Sequence, residues 1–270
     1  MKNKTSNISV KQIEEIGRML FIKGDFHQQT FEKHFHERFV FGINIAGGHD
    51  FNFGRRLETV GTDKIVVIPP GEIHTGIAHQ KGEWKYMAIY PDIQTLNLLM
   101  GKDYFKTLKI HYPYISQHIS KVYFLNLLNS LLVNDISAAR ENLMMFLSTL
   151  TDDPDAKRVD CRVNSRPQII TKIREYLLDN LESQLTLDDI AEHFAADKFH
   201  IVRLFQKYEG VSPMRFYRIA RIEKSLEVIR QTKNIARAAV EMGFYDQSHL
   251  TNEIRKMFGF TPQKFLVSQI

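Results

Sequence analysis

The last hundred residues of this 270-residue chain contain one pattern twice. At an offset of 49 residues, Asp197 answers Asp246 and His200-Ile201 answers His249-Leu250. Gln206-Lys207 answers Arg255-Lys256, and Gly210-Val211-Ser212-Pro213 with Phe216 answers Gly259-Phe260-Thr261-Pro262 with Phe265. Three or more copies would stack into a solenoid, whereas two make a duplicated module. Each copy has the grammar of helix–turn–helix. In the first, residues 187–194 are predicted helical, with Thr186 as cap and Asp189 at the capping-box position. Ala195-Ala196 turn the chain, Asp197 caps a helix over 198–208, and Gly210 ends it. In the second, a helix over 235–242 leads through a turn at 243–245 to the cap Asp246 and a helix over 247–258. Ser212-Pro213 and Thr261-Pro262 put a cap before a proline at the first helical position, so each starts a further helix.

The outward face of each second helix carries side chains suited to base edges. The first shows Lys198, Phe199, Val202, Arg203 and Gln206; the second shows Gln247, Ser248, Thr251, Asn252 and Arg255. Arginine pairs with guanine, Asn and Gln pair with adenine, and apolar groups meet the thymine methyl. Between the copies a helix over 213–231 is about 28 Å long, close to the roughly 34 Å between successive major grooves on one face of B-DNA. It carries Arg215, Arg218, Arg221, Lys224 and Arg230, of which some are expected to reach phosphates and others to pair with Glu223 and Glu227.

Ahead of the repeat the chain changes character twice. Up to residue 91 it reads as short strands and turns, with strands predicted over 39–45, 49–53, 64–68 and 84–90, which suggests an all-β sandwich or barrel. Residues 11–21 fit either a short helix or an edge strand. From 115 to 150 apolar residues recur at three- and four-residue steps, broken at Asn134-Asp135, as in an antiparallel helix pair. That pair serves either as packing for its own barrel or as a dimer seam. Residues 151–166 are polar and acidic, a linker. The domains expected are therefore 1–91, 92–150, 151–166 and 167–270.

Composition then excludes other classes. The 43% apolar share rules out disorder, and one cysteine, Cys161, makes neither an internal disulfide nor a multi-thiolate zinc site. No run of about 20 apolar residues suggests a membrane span, so a soluble, cytoplasmic setting is expected. The formal net charge is +5, and residues 165–270 hold 16 basic against 13 acidic side chains, so a nucleic-acid partner has to be argued from placement rather than from the sum.

Residues 185–265 closely resemble the C-terminal DNA-binding domain of the AraC/XylS transcription regulators. The match is carried by Leu187-Asp188-Asp189-Ile190-Ala191, Ser212-Pro213, Arg221-Ile222-Glu223, Ile235-Ala236, Gly243-Phe244, Asp246-Gln247-Ser248-His249 and Phe258-Gly259 before Thr261-Pro262. Asn252 stands where many relatives have Arg, and Ile254 where Phe is usual, so the second module is expected to favour adenine or a weaker contact. Residues 31–91 resemble the cupin-like effector domains of the same family through His34-Phe35-His36, the Gly61 turn and Pro69-Pro70-Gly71-Glu72-Ile73-His74. The resemblance implies an α+β multidomain protein: a cupin-like β-barrel, a helical connector and an all-α domain with two helix–turn–helix motifs. Its partners would be double-stranded DNA, a small-molecule effector and a second copy, with RNA polymerase as a further candidate. The effector would meet His34, His36, His74, Arg55, Trp84 and Tyr86.

Three roles remain for the histidines: hydrogen-bonding an effector, ligating a metal, or structural. A metal-binding cupin would carry Glu four or five residues after His36, where Val40 and Phe41 stand. No catalytic residue, metal or cofactor is therefore assigned. The alternative is a metal-dependent cupin enzyme with a helical appendage.

Overall fold

Short strands whose successive side chains point to two different cores build the first half of the molecule. A computed structural model describes residues 7–17, 19–27, 30–53, 56–79, 82–101, 114–150 and 167–267. The expected linker 151–166, with Cys161, and the candidate Arg55 lie outside the described residues. Ten strands are described: β1 (Asn7–Ile13), β2 (Met19–His27), β3 (Thr30–His34), β4 (Val40–Ala46), β5 (His49–Phe53), β6 (Arg56–Val60), β7 (Ile65–Ile68), β8 (His74–Ala78), β9 (Glu83–Tyr90) and β10 (Tyr114–Ile115). Between residues 11 and 21 the chain makes the end of β1, a 3-10 turn at Glu14–Ile16 and the start of β2, so the strand reading holds there.

The strands form a six-stranded sheet, β1-β2-β9-β4-β7-β10, and a four-stranded sheet, β3-β8-β5-β6, with antiparallel pairing throughout. Successive side chains of a strand face opposite ways, and in the larger sheet both faces are covered. In β7, Val66 and Ile68 point to the core shared with the smaller sheet, while Ile65 and Val67 point to a second core. That is why Ile65–Ile68 reads as an unbroken apolar run.

Three helices fill the second core: α1 (Ile93–Met100), α2 (His118–Leu132) and α3 (Ile136–Thr149). Asp92 and Asp135 cap α1 and α3 by accepting from Thr95 and Ala138 backbone N–H groups. Phe124 and Phe146 pack at 5.0 Å, and Phe146 meets Phe41 of the sheet edge-on at 5.2 Å. The side of this pair turned from the sheet leaves Ile119, Val122, Leu132, Met144 and Met145 exposed, Ile119 by 49%.

The second half is helical: α4 (Gln168–Asp179), α5 (Leu187–His193), α6 (Lys198–Glu209), α7 (Pro213–Thr232), α8 (Ile235–Glu241), α9 (Gln247–Phe258) and α10 (Pro262–Val267). The expected caps are present. Thr186 and Asp189 form the capping box of α5. Asp197 accepts from the His200 N–H (2.8 Å), and Asp246 from the His249 N–H (2.7 Å). Gly210 and Gly259 end α6 and α9 with the same left-handed φ of 76°, a conformation that costs an L side chain about 1–2 kcal/mol.

The halves share one core. Phe35 of the barrel stacks on Phe216 of α7 at 4.7 Å, and the His34 ring meets Phe258, the last residue of α9, at 6.0 Å. Polar ties surround these contacts. Lys33 donates to the Gly210 carbonyl (3.0 Å), Arg215 pairs with Glu32 (2.7 Å), and the Glu37 N–H donates to Glu223 (3.3 Å).

Candidate nucleic-acid interface and ligand cavities

The two turns aim α6 and α9 so that their apolar sides enter the core and their polar sides face outward. Ile201 and Phe205 of α6, and Leu250, Ile254 and Met257 of α9, are buried. Of the first outward set, Phe199, Arg203 and Gln206 are exposed and Lys198 and Val202 half-buried. Of the second, Gln247, Ser248, Asn252 and Arg255 are exposed and Thr251 half-buried. Lys198 is held within the domain by Asp188 at 2.8 Å. Among the described residues, the side chains of Arg203, Gln206, Gln247 and Asn252 make no hydrogen bond or ion pair, which suits groups meant for another molecule.

The structure adds Tyr245, 91% exposed in the turn just before α9. Its only sequence signal is an aromatic in a polar turn, which single residues seldom make legible.

Several basic residues of α7 make contacts within the protein. Arg218 pairs with Glu253 (3.0 Å) and meets His249 Nε2 at 2.9 Å, both on α9. Arg221 donates to the carbonyls of Leu181 (2.8 Å) and Ser183. Lys224 pairs with Glu227 at 3.0 Å, as the helical spacing predicts. Arg218 and Arg221 therefore fix α9 and the loop after α4 to α7, so the two modules are carried on one frame.

Two cavities lie nearby. The smaller, about 50 Å³, lies between the barrel and the end of α9 and is lined in part by His34, His74, Trp84 and Tyr86. Four of the expected effector residues thus meet, but around a space fit for little more than a water or an ion. The larger, about 410 Å³, lies between the halves. Leu20, Ile22, Phe35 and Arg38 of the barrel wall it on one side, and Leu178, Glu223, Arg230 and Phe260 on the other. This volume is in the range of small-molecule sites. His36 lines the larger cavity, so the expected set is divided between the two.

The three histidines adjoin one another. Ring centroids are 4.3 Å apart for His34 and His74, 4.9 Å for His36 and His74, and 6.1 Å for His34 and His36. Burial pushes His34 down to about 4 and His36 down to about 3, and holds His74 well below the usual imidazole range. They are neutral rings at neutral pH. In the larger cavity, burial lifts Glu223 to about 7, against the opposing pull of Arg38.

The comparisons with known proteins follow the same division. Residues 17–135 match the AraC-like ligand binding domain, and residues 171–267 match a helix-turn-helix domain. The chain belongs to the AraC family of transcription regulators. The HTH-type transcriptional regulator YbfI of Bacillus subtilis is 23% identical over 82% of each chain. The multiple antibiotic resistance protein MarA of Salmonella typhimurium is 27% identical over 40% of this chain and 87% of its own length. In overall fold the chain is similar to ToxT of Vibrio cholerae, solved with an unsaturated fatty acid bound. The TM-score is 0.55 at 11% identity, over 100% of this chain and 98% of that one. This AraC-type protein is thus a DNA-binding regulator with a ligand-binding N-terminal domain. Its relatives give the cupin-enzyme alternative no support. Among the described residues, no helix is long and apolar enough to cross a membrane.

Proposed function

We propose that this AraC-type regulator reads adjacent major grooves with α6 and α9 and is controlled by a small molecule in the cavity between its halves. The observation that carries the effector part is the 410 Å³ cavity, whose walls come from both the barrel and the helical domain. A ligand there touches the elements whose relative placement decides how α6 and α9 meet DNA. It acts only by binding one arrangement better than another. The cavity joins an apolar wall, including Phe258, Phe260 and Phe265, to a charged rim with Arg38, Lys224, Arg230, Glu37 and Glu223. That suits an amphipathic molecule with a polar head. The fatty acid named for ToxT is one such class, and the cationic groups here would meet its carboxylate.

In this reading the protein works in the cytoplasm as a homodimer joined through the exposed side of α2 and α3, and meets RNA polymerase at its promoters. It carries out no reaction of its own.

The experiment is a thermal-shift screen of fatty acids, amines and other small acids against the full chain, since a true effector stabilises the fold by mass action. A hit must also change affinity for DNA upstream of its own or neighbouring genes. A hit that leaves DNA affinity unchanged, or one whose stabilisation survives Arg38→Ala with Arg230→Ala, removes this assignment. Sedimentation showing only monomer at micromolar concentration removes the dimer.

A further inference from the structure

We propose that strand β3 is a spacer between the two DNA-reading modules, with Glu32 and Lys33 as positioning residues that fix how far apart α6 and α9 present their outward faces. The spacer rests on the reading above in which both helices enter DNA.

Strand β3 touches the same point of both repeats. Gly210 and Gly259 stand 49 positions apart and end α6 and α9 with one backbone conformation. Lys33 Nζ donates to the Gly210 carbonyl (3.0 Å), which puts a positive charge at the negative end of the α6 dipole. Phe31 lies against Gly259, where a built Cβ would come within 2.7 Å of its ring, and His34 meets Phe258 at 6.0 Å. Glu32 holds Arg215, in the first turn of α7, at 2.7 Å. Successive residues of one strand thus reach the ends of both outward-facing helices and the start of the helix between them.

Regular pleating would not favour this. Successive side chains of a strand face opposite ways, which would turn Glu32 and Lys33 apart. A bulge lies at this place. Phe31 pairs with Gly76 and His34 with His74, so Glu32 and Lys33 together stand opposite Thr75 alone. A bulge of this kind re-aims side chains and interrupts the pairing. The strand also forms one edge of the smaller sheet, and α9 packs beside it.

The joint that β3 bridges is short. Gly210, Val211 and Ser212 alone connect α6 to α7. Lys33 ties the chain before this joint and Glu32 ties it after. The helix α6 has 12 residues, so it is about 18 Å long. A swing of about 10° at the joint displaces its far end by about 3 Å, close to one base-pair step of about 3.4 Å. Phe205 of α6 packs on Phe216 of α7 at 5.5 Å, but apolar contact is non-directional and opposes separation more than a swing. The directional ties come from β3. On the other side, α9 is held to α7 by Arg218 through Glu253 and His249. Both β3 ties face solvent and are individually weak, so their removal should change geometry and leave the fold intact.

The test uses the full chain and a duplex selected from random sequence by the wild-type protein. Further duplexes carry one base pair more or fewer between the two protected segments. In the wild type each change should weaken binding. In Glu32→Gln with Lys33→Met that spacing penalty should shrink by about threefold or more, with affinity for the selected duplex nearly kept. Lys264→Met, which removes a tie from α10 to the Ile8 carbonyl in the same interface, should keep the wild-type penalty. An unchanged penalty in the double variant, or a loss of affinity equal at every spacing, overturns the spacer. Protection of a single segment by the wild type overturns the two-groove reading, and the spacer with it. Spin labels at Arg203→Cys and Asn252→Cys, in a chain with Cys161→Ser, give a second measurement without DNA. Their distance distribution should broaden when Glu32 and Lys33 are replaced. An unchanged width overturns the spacer even where the variant binds DNA poorly.

Discussion

The last residue of α6 is Glu209 and the corresponding residue of α9, 49 positions on, is Phe258; the helices are otherwise built alike. Glu209 turns into its own domain, where it pairs with Arg174 at 2.5 Å, and that guanidinium lies over the Phe216 ring at 4.5 Å. Phe258 turns to the barrel and meets His34. The following glycines repeat the contrast at one φ. A Cβ built on Gly210 meets nothing within 4 Å, whereas one built on Gly259 comes within 2.6 Å of Ile8 Cδ1 and 2.7 Å of Phe31 Cε1. Duplication supplied two modules with the same caps, and divergence at their ends gave one an internal anchor and the other a docking surface.

Seven substitutions can break or sharpen that contrast. The largest effect is expected from Glu209→Leu, which takes from the largely covered Arg174 its ion-pair partner. A loss of about 3–5 kcal/mol in denaturant-unfolding stability is expected. Next are the glycines. Gly210→Ala should cost about 1–2 kcal/mol through its φ alone. Gly259→Ala should cost about 1–3 kcal/mol more, because the barrel contact is overpacked. Equal losses at the two positions would mean that the docking surface bears no load. On DNA, Arg203→Ala should lose about 1–3 kcal/mol and relax preference at one base pair, read by competition with single-base operator variants. Asn252→Ala should change a different position in the site. The caps come next: Asp197→Ala and Asp246→Ala should each cost about 1 kcal/mol in thermal unfolding, alike in both modules.

A pH dependence is expected on α7, the helix between the modules. Burial raises Glu223 to about 7, in a setting shared with Arg38, Glu37, Glu227 and Tyr90. Between the ordinary carboxylate value of 4.5 and about 7, the folded protein keeps a proton that the unfolded chain has released. Stability should therefore fall as pH rises through that window. Glu223→Gln should remove that component from the difference between melting curves at pH 5 and pH 8. Identical curves for variant and wild type would refute it.

What the sequence disclosed follows from how local each signal is. The caps Asp197 and Asp246, the prolines after Ser212 and Thr261, and the ends of α9 act within one turn, so they were legible to the residue. Strands β4, β5, β7 and β9 were legible from their β-branched and aromatic runs. Strand β2 was not, because Lys23, Gly24 and Asp25 interrupt it and its pairing with β9 supplies what its own pattern lacks. The histidine spacing was visible, but the meeting of His34 with His74 depends on the pairing of β3 with β8, which only the folded backbone supplies. Glu209 read as an ordinary polar helix end, since its partner stands 35 positions earlier. The large cavity had no signal at all, because its walls run from Leu20 to Phe265.

The core that joins Trp84 and Tyr86 in the barrel to Phe35, Phe216 and Phe265 also sets a timetable for synthesis. Strand β9 ends at residue 90, yet Phe265 is made 175 residues later. At roughly 5–20 residues per second that is a wait of about 9–35 s. Through that interval a nascent barrel presents the face around Phe35 to whatever is near. That face stays uncovered until Phe216 and Phe265 have been made.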